Sequence, residues 1–522
     1  MLPGMTSGVA IEPDALVQAL RARLAAEHGE ARLVETHISW VLLAGPHAYK
    51  LKKPVRFGFL DFSSAAARRR FCEAELRLNQ RLAPQLYRAV LDVRMDAQGP
   101  SLGGRGEVVD SALWMHRMPD DALASVRLAE GRLTREHLQR LGRRLSAFHR
   151  AAPVADAASP WGRPERVRDD LLLAFDALLP RLAPADAAVC ATLRADLDAG
   201  ARALAPRIEA RRRAGCVREC HGDLHLDNIV VLGEDVTAFD CIEFDDGLRW
   251  IDTASDIGFA WMDLLAHGRA DLAQALLDAW LEDGGDFDSL ALLRFFGAYR
   301  AVVRALVSAL RTPGQRPGSG LGSPAYLALA GQLTRPPRAA LAITHGLPGS
   351  GKSWLAERLL EPALAVRMRS DVERQRLARA QLAGVSRCEV DRYSEDATAA
   401  TYSRLLTLAD AALRDGWPVI LDAAWLRREQ RSAAQDLAAR HGVALTILDC
   451  RAPMPLLRRR VRVRLQQGGD PSEADEAVLE RLASCAEPLS AAEHKLALTV
   501  STDEAIDAAA LAARWLARGA GP

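Results

Sequence analysis

The sequence has almost no lysine. Of its 68 basic residues only five are Lys (Lys50, Lys52, Lys53, Lys352 and Lys495), and the other 63 are Arg. An excess of one charge is also missing. The 67 acidic residues leave a net charge of +1, which excludes the basic surplus of a general nucleic-acid or anionic-membrane binder. No run of roughly 18 uncharged apolar residues occurs, so no membrane span is expected. The first twenty residues carry Glu12 and Asp14 and no basic start before an apolar core, unlike a secretory leader. Eight Cys without regular spacing do not make a disulfide framework, and a reducing cytoplasm is the expected setting. Aromatics are 5% of the chain, yet hydrophobic residues reach 49% and charged residues 26%, an ordinary globular composition. A length of 522 residues suggests two to four domains.

Where Arg replaces nearly every Lys, the surviving Lys mark places where a compact ammonium suits and a guanidinium fork does not. Three of the five lie together, and a fourth ends a Gly-rich loop. Gly, Pro and Ser crowd the stretch from Thr312 to Pro324, and Arg335-Pro336-Pro337-Arg338 follows a short apolar helix. This predicts a domain boundary near 335: a first unit over 1–335, a linker over 312–337, and a second unit over 338–522. Such a linker allows the units to move independently. The first unit opens with a helix at 14–28. A hairpin follows, Ile38–Ala44 turning at Gly45-Pro46 into Ala48–Lys53. The rest is α-rich, with helices at 63–82, 133–149, through 167–213 and from 252 to 310. The second unit alternates short apolar runs at 340–344, 365–368, 419–421 and 445–448 with helical segments. This pattern predicts a parallel sheet covered by helices.

In the second unit, Gly346-Leu-Pro348-Gly349-Ser350-Gly351-Lys352-Ser353 fits the phosphate-loop pattern G-x-x-x-x-G-K-[ST] at every position. It lies between an apolar strand and a helix. Backbone N–H groups and the helix N-terminus would cradle phosphates, Lys352 would reach the β and γ phosphates, and the Ser353 hydroxyl would hold Mg²⁺. Asp371 and Asp422 follow strand ends. One is expected to accept the proton of an acceptor hydroxyl and the other to orient Mg²⁺ or its waters, the competing reading of each being a helix cap. Arg460 and Arg464, four apart on an Arg-rich helix, are expected to close over the transferring phosphoryl group, unless that helix is simply a solvated surface.

In the first unit, His221-Gly-Asp223-Leu-His-Leu-Asp-Asn228 precedes the strand Ile229–Leu232, and Phe239-Asp240 follows the next short strand. An Asp and an Asn five apart on a loop, then an Asp after a strand, form a phosphoryl-transfer constellation. Asp223 would take the proton of the acceptor hydroxyl, and Asn228 and Asp240 would hold Mg²⁺. Upstream, Lys50 and Lys52 share one strand face, and Glu73 and Glu75 lie on the next helix. One Lys should bind the ATP phosphates and pair with one Glu. Lys50 with Glu75 is the preferred pair, Lys52 remaining open. Trp114–Met118 is the candidate hinge strand beside the adenine. Glu243, Asp245 and Asp246 form an acidic run, read as an exposed turn or as an attraction for a cationic acceptor. Cys216, Cys220 and His221 lack a second pair at zinc-site spacing.

These motifs carry two resemblances. Residues 35–85 and 215–260 resemble the aminoglycoside phosphotransferase family, a branch of the protein-kinase-like fold. There Asp252 and Asp256 match the segment that braces the catalytic loop. No Gly-rich nucleotide loop is visible, since Gly45-Pro46 is a tight turn. Residues 340–500 resemble small P-loop kinases of the zeta-toxin-like and gluconate-kinase-like group, on the phosphate loop, Arg369-Ser-Asp-Val372, Val419-Ile-Leu-Asp-Ala423 and the Arg-rich segment before Gly468-Gly469. The fused arrangement resembles bacterial bifunctional aminoglycoside phosphotransferase/ATP-binding proteins. It implies an α+β, protein-kinase-like, bilobal N-terminal domain followed by an α/β P-loop NTPase domain with a parallel sheet. The expected cofactors are ATP and Mg²⁺, and the expected partner is a small-molecule acceptor (an aminoglycoside, amino alcohol or sugar). No nucleic acid or membrane partner is expected. The alternatives are a nucleotide-sugar kinase, or a nucleotide sensor with little turnover.

Overall fold

The computed structural model describes residues 12–57, 60–310, 321–335, 338–382, 394–467, 472 and 474–519. The core of the breaker-rich linker (311–320 and 336–337) and the Gly468-Gly469 pair lie outside them. The upper lobe of the first domain is one antiparallel sheet of six strands. In spatial order these are Ala31–Glu35, Ser39–Ala44, His47–Lys52, Glu107–His116, Tyr87–Asp96 and Gly99–Leu102. The hairpin forms as expected, with Ala44 opposite His47 across Gly45-Pro46. The helix Ala65–Asn79, capped by Ser64, crosses this sheet and carries Glu75. Three of the strands were not legible in sequence, and of Glu107–His116 only the end from Trp114 was. Tyr87–Asp96, for example, mixes Arg and Asp into its alternation because most of its residues are only half-buried.

The lower lobe is helical. Its core helices are Arg135–Ala151, Thr253–Ala266, Ala270–Gly284 and Leu290–Leu310. The segment read as helical through 167–213 is two helices, Pro164–Leu178 and Pro184–Arg213, joined by a short turn. Two small antiparallel ladders, Ile229–Leu232 with Asp235–Ala238 and Val217–Glu219 with Trp250–Asp252, frame the loop between them.

The second domain is a parallel five-stranded sheet in the order Val366–Arg369, Pro418–Asp422, Ala340–His345, Leu445–Arg451, Ala497–Ser501. The four strands expected are present, and Ala497–Ser501 adds a fifth. Helices cover both faces, as strands buried on both sides require.

The two units, whose linker would allow independent motion, pack against one another. One apolar core runs through both, with Trp261, Leu290 and Phe296 of the first domain packed in the same cluster as Trp417, Val419 and Leu437 of the second. Trp261 and Trp417 meet at 6.2 Å between ring centroids, and the Trp417 indole N–H donates to the Leu290 carbonyl (3.1 Å). The helix Ser323–Leu333, inside the span read as linker, packs on this same core through Tyr326, Leu327 and Ala330. No helix among the described residues is long and apolar enough to cross a membrane.

Of the described cysteines only Cys485 is exposed, and burial pushes the thiols of Cys72, Cys241 and Cys450 up to about 12. Iodoacetamide at pH 8 should therefore label Cys485 within minutes, and those three only on unfolding, because the thiolate is the reactive form. Peptide mass spectrometry reads this directly, and rapid labelling of Cys72, Cys241 or Cys450 in the folded protein would contradict the packing.

Candidate active sites

In the first domain, a loop between two short ladders holds the catalytic candidates. Gly222 has φ 87°, and a Cβ there would lie 2.6 Å from the Leu248 carbonyl. Only glycine fits, so the motif reads His-Gly-Asp. The backbone N–H groups of His221 and Gly222 donate to the Asp256 carboxylate (3.1 and 2.8 Å). Burial alone would raise the Asp256 carboxyl. The hydrogen bond from His149 and the Gly222 N–H overcome this and pull it down to about 2. Asp256 therefore braces the loop as expected. Asp252 does something else: it caps its helix at Ala254 and takes a bidentate pair with Arg211 (2.8 Å for both contacts).

Asp223 accepts from the Asn228 side-chain amide (3.0 Å), and His225 Nε2 lies 3.3 Å from the same carboxylate. Burial opposes ionisation of Asp223, but His225, Arg304 and His221 hold its carboxyl far below the usual range. It is a carboxylate at neutral pH, able to accept a proton from a hydroxyl. The Phe239 N–H bonds the Asn228 carbonyl (3.0 Å) and its carbonyl meets His221 Nε2 (2.8 Å). This brings Asp240 beside the loop. Asp240 adopts φ 61°, a left-handed conformation that Asp tolerates better than most residues, and its N–H donates to the Tyr87 hydroxyl (3.1 Å).

Lys50 donates to both Glu75 and Asp240 (2.7 Å each). Lys52 is fully buried and bridges Glu75 (2.8 Å) and Glu243. Both Lys thus meet Glu75, while Glu73 pairs on the surface with Arg69. Only Lys50 faces Asp240. Burial opposes ionisation of Glu75, yet the two ammonium groups pull it down to about 2. The acidic run is only partly an exposed turn: Asp246 is exposed and Asp245 half-buried, but Glu243 is not. Glu243 is buried against Lys52, Asp245 caps a short helix at Gly247, and Asp246 pairs with Arg249. Its key partner, Lys52, lies some 190 positions away, which no local reading shows.

Removing the Glu75 charge leaves two buried ammonium groups short of a partner, so Glu75→Gln should cost about 3–5 kcal/mol of stability. The folded pKa lies below the ordinary 4.5, so the stabilisation from Glu75 is complete above about pH 4.5 and is lost as the pH falls toward 2. Urea unfolding at pH 7 and pH 3 checks both. The gap between wild type and Glu75→Gln should narrow in acid, and a gap that widens there would contradict the pairing.

Sequence reasoning missed several supports. Asp263, fully buried, holds the Leu226 N–H (3.0 Å) and the Tyr326 hydroxyl (3.1 Å). A charged residue in the apolar, buried stretch Ile257–Leu264 of its helix was a signal. Glu219 gathers Arg77, Arg81 and Arg249 and ties the upper lobe to the loop. His149, Cys220 and Asp256 lie close enough to share a metal ion. Both His149 nitrogens are already engaged, however, by Trp280 and Asp256 (3.0 Å each).

In the second domain the phosphate loop turns between Ala340–His345 and the helix Lys352–Ala363. Gly349 has φ 79°, and a Cβ there would lie 2.7 Å from the Leu457 carbonyl. Thr502, after the fifth strand and unforeseen, clamps the loop by donating to the Ser350 carbonyl (2.9 Å). Arg460 grips the same loop through Gly349 and Thr502 (3.3 and 2.8 Å), so its guanidinium is engaged with the loop itself. Arg464 donates to the Ala474 carbonyl (2.9 Å). Lys352 donates to the Leu347 carbonyl (2.9 Å) inside its own loop, and burial lowers its pKa. A cleft of about 1040 Å³ joins Pro348, Gly349, Gly351, Lys352, Ser353, Asp371, Asp422, Arg460 and Arg464. One oxygen of Asp422 is buried without a hydrogen-bond partner, and Asp371 pairs with Arg374 (2.9 Å).

Residues 46–293 match the model of the "Phosphotransferase enzyme family", and residues 341–489 match an "AAA domain" model. Uncharacterized proteins of Mycobacterium tuberculosis and Mycobacterium bovis are 30% identical over 455 residues, covering 86% of this chain and 89% of theirs. Among solved structures, a choline/ethanolamine kinase family protein from Mesorhizobium loti is 14% identical, with a TM-score of 0.31. That match covers 61% of this chain and 94% of the other. An ADP-bound aminoglycoside phosphotransferase is 13% identical (TM-score 0.32; 60% and 95%). A gluconokinase from Sinorhizobium meliloti is 16% identical (TM-score 0.25; 34% and 92%). The chain belongs to the family of these mycobacterial proteins and is itself a phosphotransferase, with a protein-kinase-like domain ahead of a P-loop kinase domain.

Proposed function

We propose that the first domain transfers the γ-phosphoryl group of ATP to a hydroxyl of a small molecule, and that the P-loop domain is a second kinase with its own acceptor. The units are taken as 1–335 and 338–522, acting in the cytoplasm where ATP is supplied. The observation that carries the reading is the assembly, around one loop, of Lys50, Glu75 and Asp240 with Asp223 and Asn228. Lys50 is the phosphate-binding Lys, since it alone of the pair faces Asp240. Lys52 is structural, sealing Glu75 and Glu243 in place. Asp223 accepts the proton as the acceptor oxygen attacks.

The oxygens of Asp240 and Asn228 are hard ligands that suit Mg²⁺, and the Asn228 amide N–H₂ is turned to Asp223, leaving its oxygen for a cation. Bound there, Mg²⁺ would neutralise charge on the β and γ phosphates. At the second site Ser353 would contribute the metal-binding hydroxyl. Lys352 and Arg464 would line the phosphates, Arg460 would hold their loop in shape, and Asp422 is the favoured proton acceptor, with Asp371 beside it. A cleft of about 1040 Å³ lies at the upper end of small-ligand sites. That size favours a nucleotide with an acceptor over a sensor holding nucleotide alone. In the acidic run Glu243 is taken up by Lys52 and Asp246 by Arg249, leaving Asp245, a helix cap, as a weak attraction for a polycation. Amino alcohols and sugars therefore rank ahead of aminoglycosides.

The test is ATP consumption by the full chain against aminoglycosides, amino alcohols, sugars and nucleotide-sugars. Acceptor-dependent turnover that disappears in Asp223→Asn is expected. ATP binding with no acceptor-stimulated turnover across the panel would favour the sensor.

A further inference from the structure

The helix Ala270–Gly284 belongs to the first domain but reaches both sites. On one side, the Trp280 indole N–H donates to His149 Nδ1 (3.0 Å). An indole can only donate, so Nδ1 accepts and the His149 proton sits on Nε2, facing Asp256 at 3.0 Å. Asp256 in turn holds the N–H groups of His221 and Gly222, next to Asp223. On the other side, Asp278 and Glu282 lie four apart and share a helix face. Asp278 takes Arg367 (2.6 Å) and Glu282 takes Arg369 (2.8 Å). Both Arg stand on the strand Val366–Arg369 of the second domain, two apart and therefore on one face. Arg367 also donates to the Ser353 carbonyl (3.4 Å), and Arg369 lies 3.7 Å from Asp422. A bonded path thus runs from the catalytic loop, through one helix, to the phosphate loop.

We propose that this helix is a shared positioning element that couples the two ATP sites, with Trp280, Asp278 and Glu282 as its positioning residues. The proposal rests on the two-site reading above. The side chains of Arg367 and Asp278 are at most 10% exposed. A buried pair repays its desolvation only while its geometry holds. A shift of the phosphate loop on binding nucleotide is therefore passed through Arg367 to the helix and not lost to solvent. At the far end, the helix sets the indole that fixes the His149 tautomer and, through Asp256, the peptide groups flanking Asp223. Coupling of this kind is reciprocal: whatever nucleotide in the second site does for the first, nucleotide in the first does for the second. Ion pairs that merely glued the domains together would affect stability and carry no signal.

Hydrogen exchange separates these roles without needing an acceptor. Full-length Asp240→Asn, whose first site is disabled, is compared with and without Mg²⁺ and a non-hydrolysable ATP analogue. Exchange should slow at 346–353 and also, by about fivefold, at 270–284 and 219–228. In Asp278→Asn/Glu282→Gln added to that background, protection at 346–353 should remain and the remote slowing should vanish. Trp280→Phe, which keeps the ring packing, should spare the response at 270–284 and abolish it at 219–228. Protection confined to the second domain overturns the coupling alone, as does remote slowing that survives in the charge variants. No protection at 346–353 overturns the coupling together with the nucleotide site it rests on.

Discussion

Asp223→Asn is expected to lower turnover at the first site by about 10³-fold, within the range a positioned general base contributes, while ATP affinity changes less than about twofold. The substitution is nearly isosteric. The amide oxygen can still accept from Asn228, which reaches this side chain at 3.0 Å, so the loop keeps its shape. What disappears is the negative oxygen that receives the acceptor proton. Lys50, Glu75 and Asp240 meet one another without Asp223, which is why nucleotide affinity should be spared. Because His225 and Arg304 hold Asp223 ionised well below its usual range, the wild-type rate should not fall between pH 8 and pH 5 on its account. Steady-state rates with a productive acceptor, with KM for ATP measured alongside, give both numbers. An equal loss of ATP affinity would mean that Asp223 organises the nucleotide and not the proton.

Lys352→Ala is expected to weaken nucleotide binding at the phosphate loop by about 10²-fold. That corresponds to the roughly 1.5–3 kcal/mol of a hydrogen bond to a charged group. Lys352 is half-buried, and among the described residues its hydrogen bond goes to the Leu347 carbonyl. Burial lowers its pKa although Asp422 and Asp371 favour the ammonium, and no hydrogen-bonded carboxylate loses its partner when it goes, so the domain should stay folded. The first site should keep its own nucleotide, since Lys50, Glu75 and Asp240 bond one another and not Lys352. Titration with ADP, together with thermal unfolding, checks both halves. Collapse of the fold would assign Lys352 a structural role.

Much of both sites was legible because their chemistry is written in short, local motifs. The phosphate loop, the His221–Asn228 loop and Asp240 each read from a handful of neighbours, and the scarcity of Lys pointed to Lys50 and Lys52. The hairpin was legible from Gly45-Pro46 between alternating runs. The illegible parts depend on distance in the chain. Glu243 looked like part of an exposed acidic turn because its partner Lys52 is far upstream. Thr502, His149 and Trp280 are ordinary residues within their own elements and acquire a role only through tertiary contact. The linker composition left open whether the units touch, because the core that joins Trp261 to Trp417 is built from residues scattered over both units. Polar–apolar mixing in half-buried edge strands such as Gly99–Leu102 concealed most of the upper-lobe sheet.

The central claim is that one chain carries two separate ATP sites. Calorimetric titration of the full-length protein with a non-hydrolysable ATP analogue and Mg²⁺ tests it most directly. Two nucleotides are expected per wild-type chain, two in Asp223→Asn and one in Lys352→Ala. A single nucleotide in the wild type, or none in Lys352→Ala, would contradict it.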